Sequence, residues 1–120
     1  MPWPCFIVER TPDLKAFASD EDRVRARTPG AMWWASPDSL PKDRSVPAGA
    51  FDRFPKLLCV RLPGGAIFHP QMPPDGEAAG WEISGEPPRI TVRPSINWVG
   101  RYHGWLTDGV LSDDLEGRTH

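Results

Sequence analysis

The sequence is poor in cysteine and histidine, contains no long apolar run and carries nearly balanced charges. Only Cys5 and Cys59 are present, whereas the disulfide framework of a small secreted protein needs four or more cysteines. We therefore expect two free thiols, buried or half-buried, although a single bridge between them would be geometrically possible. No apolar stretch approaches the ~20 residues that cross a bilayer, and the first residues lack the basic region of a signal peptide. We predict no membrane partner.

Length and composition indicate one small domain. A chain of 120 residues is short for two independently folded units, so residues 1–120 are interpreted as a single domain. The 15 prolines and 11 glycines argue against a helical bundle, because each proline in a helix interior costs about 3 kcal/mol. The 6 tryptophans and 5 phenylalanines argue against a disordered chain. The net charge of -2 indicates no general attraction to nucleic acids or anionic lipids.

Residues 57–112 have the pattern of antiparallel strands joined by tight turns. Apolar and polar residues alternate at 81–85 and 89–93, as is typical of half-buried strands. Gly64-Gly65 and Asp108-Gly109 lie between β-prone runs, and both pairs predict hairpins because glycine accepts positive φ. The prolines after Glu86 mark a further turn. We predict a meander of about five or six strands in this half of the chain.

The flanking segments give weaker signals. Residues 1–56 are predicted to be an irregular segment that covers one face of the meander, with a proline-rich loop at 37–55. The tail, residues 113–120, is acidic and is predicted to be solvated. The predicted fold class is therefore all-β or β-rich α+β. It is a small antiparallel β-meander or sandwich with a long proline-rich N-terminal loop region.

One stretch of the N-terminal half permits two interpretations. Residues 13–27 could form a helix whose apolar stripe contains Leu14, Phe17, Ala18 and Val24. A loop followed by an alternating strand at 24–28 fits the pattern as well. On such a strand the side chains of Arg23, Arg25 and Arg27 would all point one way.

Those arginines and the following tryptophans raise the question of nucleic-acid binding. Trp33 and Trp34 could stack on bases beside an arginine-lined strand. The negative net charge and the absence of a recognisable binding module favour a solvated strand face and core tryptophans instead. Nucleic acid is therefore not a favoured partner.

Three further tryptophans lie on neighbouring predicted strands: Trp81, Trp98 and Trp105. Large rings on a small sheet most often belong to the core, because each buried ring contributes roughly 2–3 kcal/mol. The functional alternative is an exposed aromatic surface for a protein partner.

Histidine is scarce, which limits metal chemistry. A structural zinc ion needs four ligands, usually in two close pairs. Cys59, His69 and His103 could meet in space, but no C-x-x-C or H-x-x-x-H spacing supports such a site. We predict no metal and no other cofactor.

Nucleophilic catalysis is the second chemical possibility. Ser95, His103 and Asp108 provide the residue types of a nucleophile, a base and an orienting acid. No G-x-S-x-G pattern is present, Asp108 belongs to a predicted turn, and the acids of the tail are predicted to be solvated. The alternative hypothesis is therefore a small hydrolase or transferase, or a zinc-binding domain, that uses His103 with nearby acids.

The C-terminal third has a combined pattern that resembles a known family. It contains a strand of the form GW-x-hydrophobic-x-G-x-P starting at Gly80, the segment Pro94-Ser95-Ile96, and the hairpin sequence 103–109. In these segments the chain resembles small uncharacterised proteins of tailed phages, prophages and other mobile elements, some of which carry a misleading "ammonia monooxygenase" label. Residues 62–65 and 30–33 also resemble the phage branch. The resemblance implies a phage or prophage protein but no activity, because the family has none established.

The resemblance also bears on zinc. Many relatives carry a C-P-C-x-C stretch and a cysteine before the hairpin histidine, which suggests zinc binding. In this chain Cys59 stands at the first position but is followed by Val60, and Tyr102 precedes His103. The resemblance therefore implies that most zinc ligands are lost and that packing by Tyr102 and the tryptophans replaces them.

Together these observations favour a non-enzymatic protein-binding module encoded by a phage or prophage. We expect its partner to be a host factor or a virion neighbour, and its location to be the host cytoplasm or the virion; self-association to a homo-oligomer is compatible with this interpretation. The predicted binding residues are Trp33, Trp34, Ser95, Asn97, Arg101, His103, Trp105 and Asp108.

Overall fold

The computed structural model describes residues 2–36, 55–71 and 81–120. These residues form nine strands and one helix: β1 Trp3–Pro4, β2 Phe6–Ile7, α1 Asp20–Arg25, β3 Ala31–Ala35, β4 Leu57–Arg61, β5 Ile67–Phe68, β6 Glu82–Glu86, β7 Arg89–Trp98, β8 Tyr102–Thr107 and β9 Val110–Leu111. A five-stranded sheet has the order β1-β9-β8-β7-β6, and a four-stranded sheet has the order β2-β3-β4-β5. The prediction of a β-rich, mostly antiparallel fold is confirmed; β2 and β3 form the one parallel pair of the described strands.

The five-stranded sheet contains the predicted meander of β6, β7, β8 and β9. β6 and β7 are joined by a two-residue turn, because Glu86 pairs with Arg89. β8 and β9 are joined at Asp108-Gly109, whose φ values of 44° and 73° are both positive, as a type I′ turn requires. Both predicted turns are confirmed.

The four-stranded sheet has a connectivity that the meander prediction missed. β4 and β5 form the hairpin predicted at Gly64-Gly65, but β4 pairs on its other side with β3. The N-terminal half is thus not only an irregular cover, since it adds β2 and β3 to this sheet and β1 to the other. β3 and β4 are almost entirely buried, because the four-stranded sheet is covered on both faces.

Two apolar clusters hold these layers together. The larger cluster lies between the sheets and contains residues from both, among them Met32, Val60, Val92, Tyr102 and Leu106. The smaller cluster lies on the opposite face of the four-stranded sheet, where Val8, Phe17 and Ala26 pack on Trp33 and Cys59. The segment before β3 therefore covers the face of this sheet that turns away from the first cluster.

α1 resolves the two interpretations of the segment before β3. The side chain of Ser19 caps this helix by accepting a hydrogen bond from the Asp22 N–H (3.1 Å), and acidic residues in the first turn suit the helix dipole. The strand interpretation of residues 24–28 is therefore wrong, and the arginines do not line one strand face. The predicted apolar stripe does not form either, because the helix begins only at Asp20 and Val24 is 62% exposed.

The predicted loop at 37–55 lies outside the described residues except for Pro55.

Candidate functional site

The face of the five-stranded sheet that turns away from the four-stranded sheet, below called the outer face, collects half of the predicted binding residues. Along β8 the residues Tyr102, Gly104 and Leu106 are buried, whereas His103 and Trp105 alternate with them and reach solvent. Asn97 pairs with His103, so the two side chains share the outer face. Ser95 lies there too, two residues before Asn97 on the same strand.

A bulge in β7 turns Ser95 toward His103. Val92 pairs with Leu106, but Ile96 pairs with Gly104, so residues 93–95 together lie opposite the single residue Trp105. Bulges of this kind redirect side chains and are over-represented next to active sites. Here the bulge places the Ser95 hydroxyl 3.3 Å from Nε2 of His103.

The other ring nitrogen of His103 contacts a carboxylate from the tail. Nδ1 lies 3.0 Å from Oε1 of Glu116, and the side chains of His103 and Glu116 are 24% and 54% exposed. A histidine whose Nδ1–H donates to a carboxylate leaves Nε2 free to accept from a hydroxyl. Ser95, His103 and Glu116 thus form the chain of contacts of a serine nucleophile, its general base and the acid that orients the base.

Asp108 does not take part in this chain. It occupies the β8–β9 turn with positive φ, and its backbone N–H donates to Oγ1 of Thr91 (2.9 Å). The acid beside His103 is therefore Glu116 and not the Asp108 named with Ser95 and His103 from the sequence.

The tail folds against the five-stranded sheet, so the prediction of a solvated segment is wrong for Asp114, although Asp113 and Glu116 are exposed. The side chain of Asp114 is fully buried; it accepts hydrogen bonds from Arg118 and from the Glu116 N–H (2.9 Å), and lies 3.0 Å from Nε2 of His120. Burial alone would raise the pKa of Asp114, but the bonds with His120, the Glu116 N–H and Arg118 outweigh it and hold the pKa well below its usual range. This anchor fixes the position of Glu116.

The sequence contains one signal for this arrangement, the register of the β8–β9 hairpin. In the β8–β9 hairpin Thr107 pairs with Val110 and Leu106 pairs with Leu111. The same register carried four residues further places His103 opposite Asp114, and the Leu115 N–H indeed donates to the His103 carbonyl (2.6 Å). A hairpin register therefore brings the tail acids to the histidine.

His120, which contacts Asp114, also packs against two aromatic rings. The ring of His120 meets Trp3 at a centroid distance of 5.9 Å and Tyr102 at 6.2 Å, both edge-on. Its side chain is 10% exposed, so the end of the chain packs against the sheet at the site where β1 joins it.

The structure does not bring the two adjacent tryptophans to this face. Trp33 is 5% exposed and packs edge-on against Phe17 at 5.5 Å, on the far side of the four-stranded sheet. Trp34 is half-buried beneath Lys56, whose Nζ lies 4.1 Å from the ring centroid. Neither ring offers an open surface for stacking.

Arg101 lies apart from the Ser95–His103–Glu116 chain as well. It is exposed in the β7–β8 turn, where its backbone N–H donates to the Trp98 carbonyl (2.9 Å).

The residues named for zinc are also separated. Cys59 packs under the covering segment, Nδ1 of His69 lies 3.3 Å from the Leu58 carbonyl, and His103 is on the outer face of the other sheet. Within residues 2–36, 55–71 and 81–120 no group of three His, Cys, Asp or Glu side chains is arranged to hold a metal ion. Cys5 and Cys59 are free thiols, as expected; burial raises the pKa of each to about 12.

β6 is the second feature of interest, because it lies at an edge of the five-stranded sheet. The sequence predicts it to be half-buried, but all five of its residues are exposed, and Ile83 is 41% exposed. In the part of the chain that the structure describes, β6 pairs with β7 alone. Glu82 and Glu86 lie on the same face of this edge strand.

Comparison of the chain with protein-family models, with curated proteins and with solved structures finds no match. The resemblance of the C-terminal third to phage and prophage proteins therefore stays a prediction. None of the described helices is both long enough and apolar enough to span a bilayer.

Proposed function

We propose that the chain is a protein-binding module that takes up an extended, basic segment of a partner along β6. The observation that carries the proposal is the free edge of this strand, where five consecutive exposed residues pair on one side only among the residues that the structure describes. An unpaired edge presents backbone N–H and C=O groups to another chain. Addition of a partner strand to such an edge is a recurring mode of peptide recognition.

The side chains of β6 select the kind of partner. Glu82 and Glu86 lie across from Arg93 and Arg89 of β7. An added strand would pair with β6 on the side away from β7. A lysine or arginine at the matching positions of an added strand would place an opposite charge beside each carboxylate, which stabilises cross-strand pairs. Ile83, which pairs with Val92, adds an exposed apolar contact on the opposite face of the strand from the two acids.

A second copy of the same strand fits this edge less well. In an antiparallel pairing centred on Ser84, Glu82 of one copy would lie opposite Glu86 of the other, and this would occur twice. Like charges directly opposite each other destabilise a strand pair. The pattern therefore favours a different protein over self-association.

The C-terminal resemblance supports a phage or prophage setting for this module. In that setting the partner is a host factor in the host cytoplasm or a neighbouring protein in the virion.

The test uses synthetic ten-residue peptides that alternate valine with lysine or valine with glutamate. We expect the lysine peptide to shift the amide NMR signals of residues 82–86 and of the adjacent β7, and the glutamate peptide to leave them unchanged. Ile83→Lys should weaken the binding of the lysine peptide about tenfold, which corresponds to about 1.4 kcal/mol. Equal binding of both peptides, or shifts centred elsewhere, would contradict the proposal.

Val99→Lys is the matched control. Val99 is an exposed apolar residue of the β7–β8 turn, 84% exposed, so this variant adds the same charge away from β6. It should bind the lysine peptide as the unmodified chain does. A protein captured from infected cells counts as the partner only if Ile83→Lys loses it and Val99→Lys retains it.

A further inference from the structure

We infer that the outer face carries an acyl-transfer site in which Ser95 is the nucleophile, His103 the general base and Glu116 the residue that orients the base. The substrate class is a small carboxylic ester. This inference is independent of the proposed binding along β6, because it rests on a different group of side chains.

The order of contacts supports the assignment. The Ser95 hydroxyl lies beside Nε2 of His103 at 3.3 Å, and Glu116 lies beside Nδ1 at 3.0 Å. A nucleophile within reach of a base, and a base held by a carboxylate, are the geometric requirements for an activated serine. A hydroxyl–imidazole distance of this size tightens when substrate binds.

Two elements hold the three side chains in place. The bulge in β7 takes Ser95 out of the regular ladder opposite Trp105, and the buried Asp114 anchors the tail that bears Glu116. The Leu115 N–H also bonds the His103 carbonyl (2.6 Å). A carboxylate needed only to fasten the tail would not have to contact the imidazole, since Asp114 already provides that anchor.

The neighbours of this group suit an ester. Trp105 is 43% exposed and faces the bulge, so its ring provides an apolar surface for the acyl or aryl part of the substrate. Asn97 lies opposite His103 on the same face, and its side-chain amide is the donor that we assign to the developing oxyanion.

The reaction that this site performs proceeds in two balanced steps. The Ser95 oxygen bonds to the ester carbonyl carbon while its proton passes to His103; the bond to the alcohol oxygen then breaks, and the alcohol leaves with that proton. In the second step water attacks the acyl-serine and gives a proton to His103, and the acid leaves as that proton returns to the Ser95 oxygen.

The first experiment treats the full chain with a fluorophosphonate, from which an activated serine displaces fluoride. We expect one adduct by intact mass, located at Ser95 by peptide mapping, and none in Ser95→Ala. Glu116→Gln should slow labelling about 100-fold, within the range for loss of acid–base assistance. The tail anchor at Asp114 stays intact in this variant, which unchanged amide protection of residues 114–116 would verify.

Turnover of p-nitrophenyl acetate provides the second measurement. Asn97→Ala should lower the turnover rate about 100-fold, as loss of an oxyanion donor does, while the fold measured by tryptophan fluorescence stays unchanged. Thr28→Ala is the control, because Thr28 is an exposed hydroxyl residue after α1 and has no imidazole partner among the described contacts. It should be labelled and turn over substrate at the rate of the unmodified chain.

The outcomes separate this inference from the proposed binding along β6. Ile83→Lys should keep full labelling at Ser95, and Ser95→Ala should keep peptide binding. Absence of an adduct under conditions that label a known serine hydrolase, labelling spread over several serines, or an unchanged rate in Glu116→Gln would overturn the inference.

Discussion

His103 joins three parts of the chain through its backbone and its ring. Its carbonyl accepts from the Leu115 N–H, its Nδ1 contacts Glu116, and its Nε2 contacts Ser95. Asp114 supports this arrangement, since its buried carboxylate holds the tail through Arg118 and His120. The stability of the fold and the geometry of the candidate site therefore depend on the same buried charge.

Asp114 should make the stability of the protein sensitive to acid. Its pKa is depressed in the folded state, so ionised Asp114 contributes stability above the unfolded pKa of about 3.9, and that contribution is lost as the pH falls toward the folded pKa. We expect Asp114→Asn to be less stable at pH 7. Its proton uptake on unfolding between pH 5 and 2 should be smaller by up to about one proton.

Urea titrations at a series of pH values measure both effects. Glu21→Gln removes the same charge from an exposed position of α1 and serves as the control, with a pH dependence like that of the unmodified chain. If Asp114→Asn and Glu21→Gln showed the same slope against pH, the buried carboxylate would not be the cause.

Two kinds of local backbone geometry shape the elements of the five-stranded sheet. The type I′ turn at Asp108-Gly109 sets the register of β8 against β9. The same register places the tail, which follows β9, beside His103. The bulge between Val92 and Ile96 sets the position of Ser95. The turn was predictable because it depends on two adjacent residues. Pro94 within β7 signals an irregularity in the strand, but the position that the bulge gives to Ser95 depends on how β7 pairs with β8.

Gly109 should tolerate alanine less well than Gly100. Both have positive φ, 73° and 80°, so alanine costs each about 1 kcal/mol in backbone strain. A Cβ on Gly109 would also approach the Pro88 carbonyl oxygen at 2.6 Å, while nothing lies within 4 Å of one on Gly100. We expect Gly109→Ala to lose about 2–4 kcal/mol in urea unfolding and Gly100→Ala about 1 kcal/mol; equal losses would show that the contact with Pro88 relaxes.

The molecule as a whole is a stack of three layers: the five-stranded sheet, the four-stranded sheet and the segment that covers it. β3 and β4 form the centre of this stack, buried on both faces. Cys59 lies on the covered side and is fully buried, and Cys5 is half-buried where β1 and β2 leave for different sheets. Both thiols therefore report on the opening of the layers.

The two thiols should react slowly in the native protein and rapidly after unfolding. With a pKa of about 12, about one thiol in ten thousand is ionised at pH 8, and the thiolate is the reactive form. In the unfolded chain the pKa returns to about 8.5. We expect Ellman's reagent to modify both cysteines quickly in concentrated urea and neither in buffer, while the exposed thiol of Ser84→Cys reacts at once in buffer. Rapid reaction of Cys59 without denaturant would contradict the layered burial.

The strands and turns of residues 57–111 follow from local sequence, because alternation and glycine at positive φ depend on neighbouring residues. The capped helix at Ser19 also had a local signal. The pairing of β3 with β4, the exposure of β6, and the meeting of Ser95, His103 and Glu116 were decided by tertiary structure. The reason is that the free energy selecting among strand pairings comes from apolar surface buried between layers, and that surface belongs to residues distant in sequence.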